Sequence, residues 1–216
     1  MAGFGKINPD QGKYRARSGN LNILPHLDRK LVTESPLKTP IIFYTDGSCL
    51  ADDGCGGFSI TRWIKHPKTK DTIEVSSSWS YSTDTTISIM ELGAALIALR
   101  QVEGTQRPIY IYTDSQYVQK GVEEYLAGWV RSGRSSRGEI KNLGLWQEMV
   151  DLINRHHVEF RWVKGHSGIK ENDRADFLAG NGRALALKES GLAHKVNEDY
   201  RMIENEDVPG FIYHNL

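Results

Sequence analysis

The sequence predicts an α/β fold: a mixed five-stranded sheet, three antiparallel strands followed by two parallel ones, with helices on both faces. Strong periodicity is confined to residues 41–187 of the 216. Within that stretch three strand-like runs come first, and helical and strand-like segments then alternate. Successive strands make an antiparallel meander, whereas a strand reached through a helix adds in parallel, so the order specifies a mixed sheet covered by helices.

Residues 41–45 are a short apolar run of β-branched and aromatic side chains, suited to a central strand. Gly54, Gly56 and Gly57 permit a tight connection into a second strand over residues 58–63. A more polar third strand follows over 71–81. The Ala and Leu content of residues 90–102 favours a helix. Residues 108–112 read as a fourth strand, and 115–126 as a second helix for which Asp114 and Ser115 offer cap chemistry. A helix over 145–154, a strand over 158–163 and a helix over 172–187 complete the order.

Flanking segments differ in composition. Residues 1–40 read as a flexible basic arm carrying Lys6, Lys13, Arg15, Arg17, Arg29 and Lys30. Residues 188–216 read as an acidic tail in which Phe211-Ile-Tyr213 offers a segment to dock on the core. Lysine and arginine balance aspartate and glutamate at 27 each, so any nucleic-acid binding must come from a local patch. Cys49 and Cys55 have no second pair with which to build a zinc site, and a reduced, cytoplasmic chain is the better reading than a disulfide. No apolar stretch is long enough to span a membrane, and the N-terminus lacks a hydrophobic signal region. Its arginines resemble those of an organellar transit peptide, but Pro9 and Asp10 argue against one.

The chemistry is carried by four acidic residues in apolar surroundings: Asp46, Glu91, Asp114 and Asp176. Asp46 and Asp114 each follow a strand signal, and adjacent strands lie about 5 Å apart. Glu91 and Asp176 sit on helices, followed by Ala94, Ala95 and Ala98 and by Ala179 and Gly180, small residues that allow close approach to the sheet. Taken singly, an Asp before Gly is an ordinary turn former and Asp-Ser an ordinary cap. Neither explanation serves Glu91. Converging carboxylates would hold one another protonated unless cations were bound, and two magnesium ions about 3.5–4 Å apart would satisfy them and hold a scissile phosphate.

Thr45-Asp-Gly-Ser48, Met90-Glu-Leu92, Thr113-Asp-Ser-Gln-Tyr-Val118, Leu145-Trp-Gln147 and Trp162-Val-Lys-Gly-His-Ser-Gly168, with Asn172 and Ala175-Asp176, resemble the type 1 ribonuclease H family. The ordered set is highly specific, and it spans about 41–187. The resemblance implies a ribonuclease H fold and endonucleolytic cleavage of the RNA strand of RNA–DNA hybrids, giving 5′-phosphate and 3′-hydroxyl ends. It implies two Mg²⁺ ions, replaceable by Mn²⁺, held by Asp46, Glu91, Asp114 and Asp176, with His166 as the family's loop histidine. A monomer acting on a hybrid duplex is expected. Another nuclease of the same superfamily, acting on DNA junctions or double-stranded RNA, and a non-catalytic hybrid-binding module are the alternatives.

His166 makes chemical sense by itself, because glycine-flanked loops can carry an imidazole in and out of a site where it moves protons. Asp173 is either an outer contributor near the metals or a favourable charge at a helix start. Residues 129–141 contain Arg131, Arg134, Arg137 and Lys141 against Glu139 alone, among serines and glycines. The resemblance makes this stretch a basic protrusion holding the DNA strand, with Trp129 on a sugar or anchoring the protrusion. Phosphate contacts of that kind give affinity without sequence readout. By the same resemblance Thr86 meets a DNA phosphate, and Cys49 and Gln116 face the minor groove, where 2′-hydroxyls are sensed. Two departures bear on grip. Ile87-Ser88-Ile89 stands where the family commonly has Asn-Asn-Arg, leaving Ser88 as the polar contact, and Asp52 replaces a familiar Asn.

Overall fold

The computed structural model describes residues 39–66, 68–69, 71–125, 134–135, 138–197 and 210–212. Strands β1 (Ile41–Leu50), β2 (Cys55–Lys65) and β3 (Thr72–Ser82) form the antiparallel meander. After α1 (Ile87–Arg100), strand β4 (Ile109–Thr113) pairs in parallel with β1. Helix α2 (Gln116–Lys120) runs into a π-helical turn at Gly121–Tyr125. A two-residue hairpin, β5 (Arg134–Ser135) with β6 (Gly138–Glu139), precedes α3 (Leu143–Arg155). Strand β7 (Val158–Trp162) joins β4 in parallel, and α4 (Lys170–Glu189) follows.

The five expected strands lie in the order β7-β4-β1-β2-β3, and a short sixth, β8 (Gly210–Ile212), extends the sheet in parallel along β3. It comes from the tail segment that the sequence offers for docking. Beyond α4 the chain is tied back by Lys195, whose Nζ donates to both carboxylate oxygens of Asp53 at 2.7 and 2.8 Å.

Strand alternation divides the core between the two faces. Phe43, Ile60, Ile109, Ile111 and Phe160 pack beneath α1, α2 and α3 through Leu92, Leu96, Val118, Trp146 and Met149. Ile42, Tyr44 and Trp63 face the other way, towards Ala175 of α4. Here the approach is close enough to need glycine. A β-carbon on Gly57 would lie 2.4 Å from the Ala179 carbonyl and from the Arg183 nitrogen, and one on Gly182 would lie 2.4 Å from the Ser80 carbonyl. Ser59 Oγ donates to the Ala175 carbonyl at 2.6 Å, which ties the same helix to β2.

Several boundaries move from their expected places. β1 does not stop at residue 45, because pairing with β2 continues through Asp46↔Ser59 to Leu50↔Cys55. Asp46 therefore lies inside the strand, while Asp114 does follow the last residue of β4. α1 begins at Ile87 rather than 90, since Thr86 caps it by accepting from the Ile89 N–H. That puts Glu91 in the second turn. α2 is α-helical only as far as Lys120, and Gly121 then tucks under the Trp146 ring. The register places Leu50 opposite Cys55, so Cys49 and Cys55 point to opposite faces and both are free thiols. Among the described residues, no helix is long and apolar enough to cross a membrane.

Candidate active site

β1 and β4 are paired only as far as Tyr44↔Tyr112, where the two rings stack with centroids 4.6 Å apart. Beyond that pair the strands part, and β1 runs on with its β4-side edge open. Asp46 and Asp114 stand just past the split. Gly47 lets α1 close over the same point, because a β-carbon there would meet the Glu91 nitrogen at 2.5 Å. As a result, one carboxylate oxygen from each of Asp46, Glu91 and Asp114 lies within 4.8 Å of the others.

Asp176 approaches from α4, on the helix that Gly57 and Gly182 allow down onto the sheet. It stands outside that tight trio, and its charge is felt by both Asp46 and Glu91. Burial, reinforced by the neighbouring carboxylates, pushes Asp46 and Glu91 well above the usual carboxylate range, with the Gly47 N–H opposing the shift. Asp176 is raised by burial and pulled back by His166.

The donor set fits divalent cations. It consists of hard oxygens, two of the three carboxylates are buried, and Glu91 Oε2 is buried with no hydrogen-bond partner. A buried carboxylate oxygen left without a partner is costly unless a cation meets it. These residues can therefore hold metal ions.

Three residues that sequence reading left without a role shape the site. Asn172, buried at the start of α4, donates from Nδ2 to Asp114 Oδ2 at 3.2 Å. Trp162 Nε1 donates to the Asp114 carbonyl at 3.1 Å. Gly165 leaves room for the Asp114 carboxylate where it stands, since a β-carbon there would come within 2.5 Å of Asp114 Oδ2. All three lie in or beside the motif around His166. Their spacing gave no hint that they converge on Asp114.

His166 stands on the rim with its side chain 80% exposed, its Nδ1 3.7 Å from Asp176 Oδ2. Its backbone is left-handed at φ 50°, as is that of Gly168 at φ 78°. Asp173 occupies the first turn of α4, and its charge raises Asp176.

The expected substrate contacts divide. Thr86 is exposed but uses its hydroxyl as the α1 cap, and Ser88 is half-buried in the first turn. Half-buried Cys49 contacts the Thr85 carbonyl through Sγ at 3.9 Å. Gln116 opens α2 in an exposed position, and Lys141 is exposed ahead of α3. Trp129, Arg131 and Arg137 lie outside the described residues, and Arg134 is described only as strand backbone.

Comparison with known proteins places this geometry. A family model described as RNase H matches residues 38–184. A protein named Ribonuclease H from Hahella chejuensis is 42% identical over 151 residues, covering 68% of this chain and 96% of its own length. One of the same name from Idiomarina loihiensis is 41% identical over 139 residues, covering 63% and 83%. Among solved structures, LC9-RNase H1, a type 1 RNase H with the type 2 active-site motif, aligns with a TM-score of 0.61 at 30% identity, covering 69% of this chain and 74% of that one. A foamy viral protease-reverse transcriptase in complex with RNA/DNA hybrid shares the fold at a TM-score of 0.59 and 21% identity, over 68% of this chain and 20% of that one.

Proposed function

Since this chain belongs to the RNase H family and is a ribonuclease H, we propose that it hydrolyses the RNA strand of RNA–DNA hybrids at Asp46, Glu91, Asp114 and Asp176. One observation carries the reading: three carboxylate oxygens lie within 4.8 Å of one another, at the split between β1 and β4. So close and so buried a set must take up protons or cations, and its hard oxygens support the reading that divalent ions fill it.

Asp46, Glu91 and Asp114 would hold Mg²⁺, with Asp176 completing the set and Mn²⁺ able to replace it. When bound, two such ions activate the attacking water and stabilise the departing oxygen. The chain's own residues supply position. Asn172 and Trp162 fix Asp114 at its side chain and its carbonyl, and the β2 pairing fixes Asp46. His166, near Asp176, moves a proton at the rim through its imidazole. Gln116 and Cys49 sense the minor groove, while Thr86, Ser88 and the basic stretch from Trp129 through Arg131, Arg134 and Arg137 to Lys141 grip the backbone.

His166→Ala should slow turnover by about 10²-fold without abolishing it, the usual worth of one proton-transferring side chain. The rate–pH profile should flatten with it. A variant that keeps the parent rate and the parent profile would remove His166 from the reaction.

Metal binding should also appear in stability. In the metal-free protein Asp46 and Glu91 prefer to be protonated. Their contribution is present in full below the ordinary carboxyl pKa of about 4 and is lost as pH rises through their raised values. Mg²⁺ at about 100 times its Kd should restore about 2.7 kcal/mol at pH 8 and much less near pH 4. Thermal melts with and without Mg²⁺ at both pH values test this. An equal effect at both would contradict the cation site.

The direct test of the reaction is a hybrid labelled on each strand in turn. The RNA strand should be cut internally, with 5′-phosphate and 3′-hydroxyl ends, and chelation should stop it. Cleavage of the DNA strand, or cleavage that survives chelation, would overturn the proposal.

A further inference from the structure

Among the described residues two large hydrophobic side chains are exposed, Ile87 at 44% and Trp162 at 43%. Trp162 ends β7, two residues after Phe160, so strand alternation puts both rings on the same face of the sheet. Phe160 is buried in the core on that face, whereas the cover ends before Trp162. The exposed ring is nevertheless fixed in place. Trp162 pairs with Thr113 of β4, and its Nε1 donates to the Asp114 carbonyl at 3.1 Å. The indole therefore lies against the junction of Asp114 with α2, whose first residue is the exposed Gln116. From Trp162 the chain runs directly into the loop that carries His166. The hydrogen bond accounts for the indole N–H. It does not account for a bare ring, when those of Trp63 and Trp146 are buried.

We propose that Trp162 is a further substrate-binding residue, packing its exposed indole against a nucleotide of the RNA strand beside the scissile phosphate. This rests on the hybrid-cleaving reading above. In that reading Asp114 serves the reaction on the RNA strand, so a ring bonded to the Asp114 backbone meets that strand. An aromatic surface accepts a sugar or base of any sequence, which adds affinity without readout. A tryptophan held by its strand and by its N–H also loses little freedom on binding. Being uncharged, it releases no counterions, and this separates its contribution from that of the basic residues.

The test measures hybrid binding by the full chain in an Asp46→Asn background, by anisotropy of a labelled RNA–DNA hybrid across a series of salt concentrations. Adding Trp162→Ala should weaken binding roughly 5- to 20-fold, the lower part of the range for losing one aromatic contact to a nucleotide. The loss should be the same at every salt concentration, leaving the slope of log K against log salt unchanged. Trp162→Phe keeps a ring without the N–H and should retain most of the affinity. Trp162→Gln keeps a donor without a ring and should bind as poorly as the alanine variant. Melts of each variant establish folding. Hybrid binding should also change tryptophan emission more in the parent than in the phenylalanine variant, a readout that needs no ringless variant to fold. Parent affinity in a folded ringless variant would overturn the proposal, as would identical emission changes in parent and phenylalanine variant. A phenylalanine variant as weak as the alanine one would overturn it too, by showing that the N–H anchor alone matters. Failure of the Asp46→Asn chain itself to bind the hybrid would instead refute the hybrid reading.

Discussion

Asp46→Asn should lower cleavage of an RNA–DNA hybrid by roughly three orders of magnitude or more, at least the 10²–10³-fold carried by a single preorganised electrostatic group. The substitution is nearly isosteric, and β1 should still pair with β2 because that ladder is made by backbone groups. What is lost is one negative oxygen of the trio that lies within 4.8 Å. Hybrid affinity should change little, since grip is assigned to other residues. Removing one of several crowded carboxylates should also relieve repulsion, leaving the metal-free variant at least as stable as the parent at neutral pH. Single-turnover cleavage and hybrid binding measured side by side check both halves. Retained cleavage in this variant would refute the assignment of Asp46.

Gly57→Ala carries the largest expected effect on stability. The new β-carbon would lie 2.4 Å from two backbone atoms of α4, the Ala179 carbonyl and the Arg183 nitrogen, and backbone cannot swing aside as a side chain can. Overpacking of this kind costs about 1–3 kcal/mol, and the absence of a yielding neighbour puts this site at about 3 kcal/mol. Relief requires α4 to lift from the sheet, carrying Asp176 with it, so activity should fall even where the protein remains folded. Urea denaturation and hybrid cleavage at a temperature well below the melt separate the two effects. A stability change within about 0.5 kcal/mol would mean that the helix does not rest on Gly57 as described.

Much of this was legible before the structure because several local signals agree. The apolar strand runs, the alanine-rich α1 and the Asp-Gly-Ser and Asp-Ser junctions all place carboxylates where a sheet meets helices. Small residues after Asp176 announced the close approach that Gly57 and Gly182 complete. Where local signals were weak, boundaries slipped. Residues 46–50 belong to a strand only through pairing with β2, which no local propensity reports. Ile87 and Ile89, β-branched and poor helix formers, hid the first turn of α1 until the Thr86 cap was visible. The roles of Asn172, Trp162 and Gly165 around Asp114 depend on three segments meeting in space, which spacing along the chain does not encode.

Crowded carboxylates at the split between β1 and β4 are the centre of the account, and their purpose is best tested by substrate choice. One protein preparation should be offered an RNA–DNA hybrid, a double-stranded RNA and a double-stranded DNA of the same sequence, each with Mg²⁺ and with chelator. Internal cleavage of the hybrid's RNA strand is expected with Mg²⁺ alone, and intact strands in every other tube. Cleavage of either uniform duplex at a rate matching the hybrid, or of the hybrid in chelator, would contradict it.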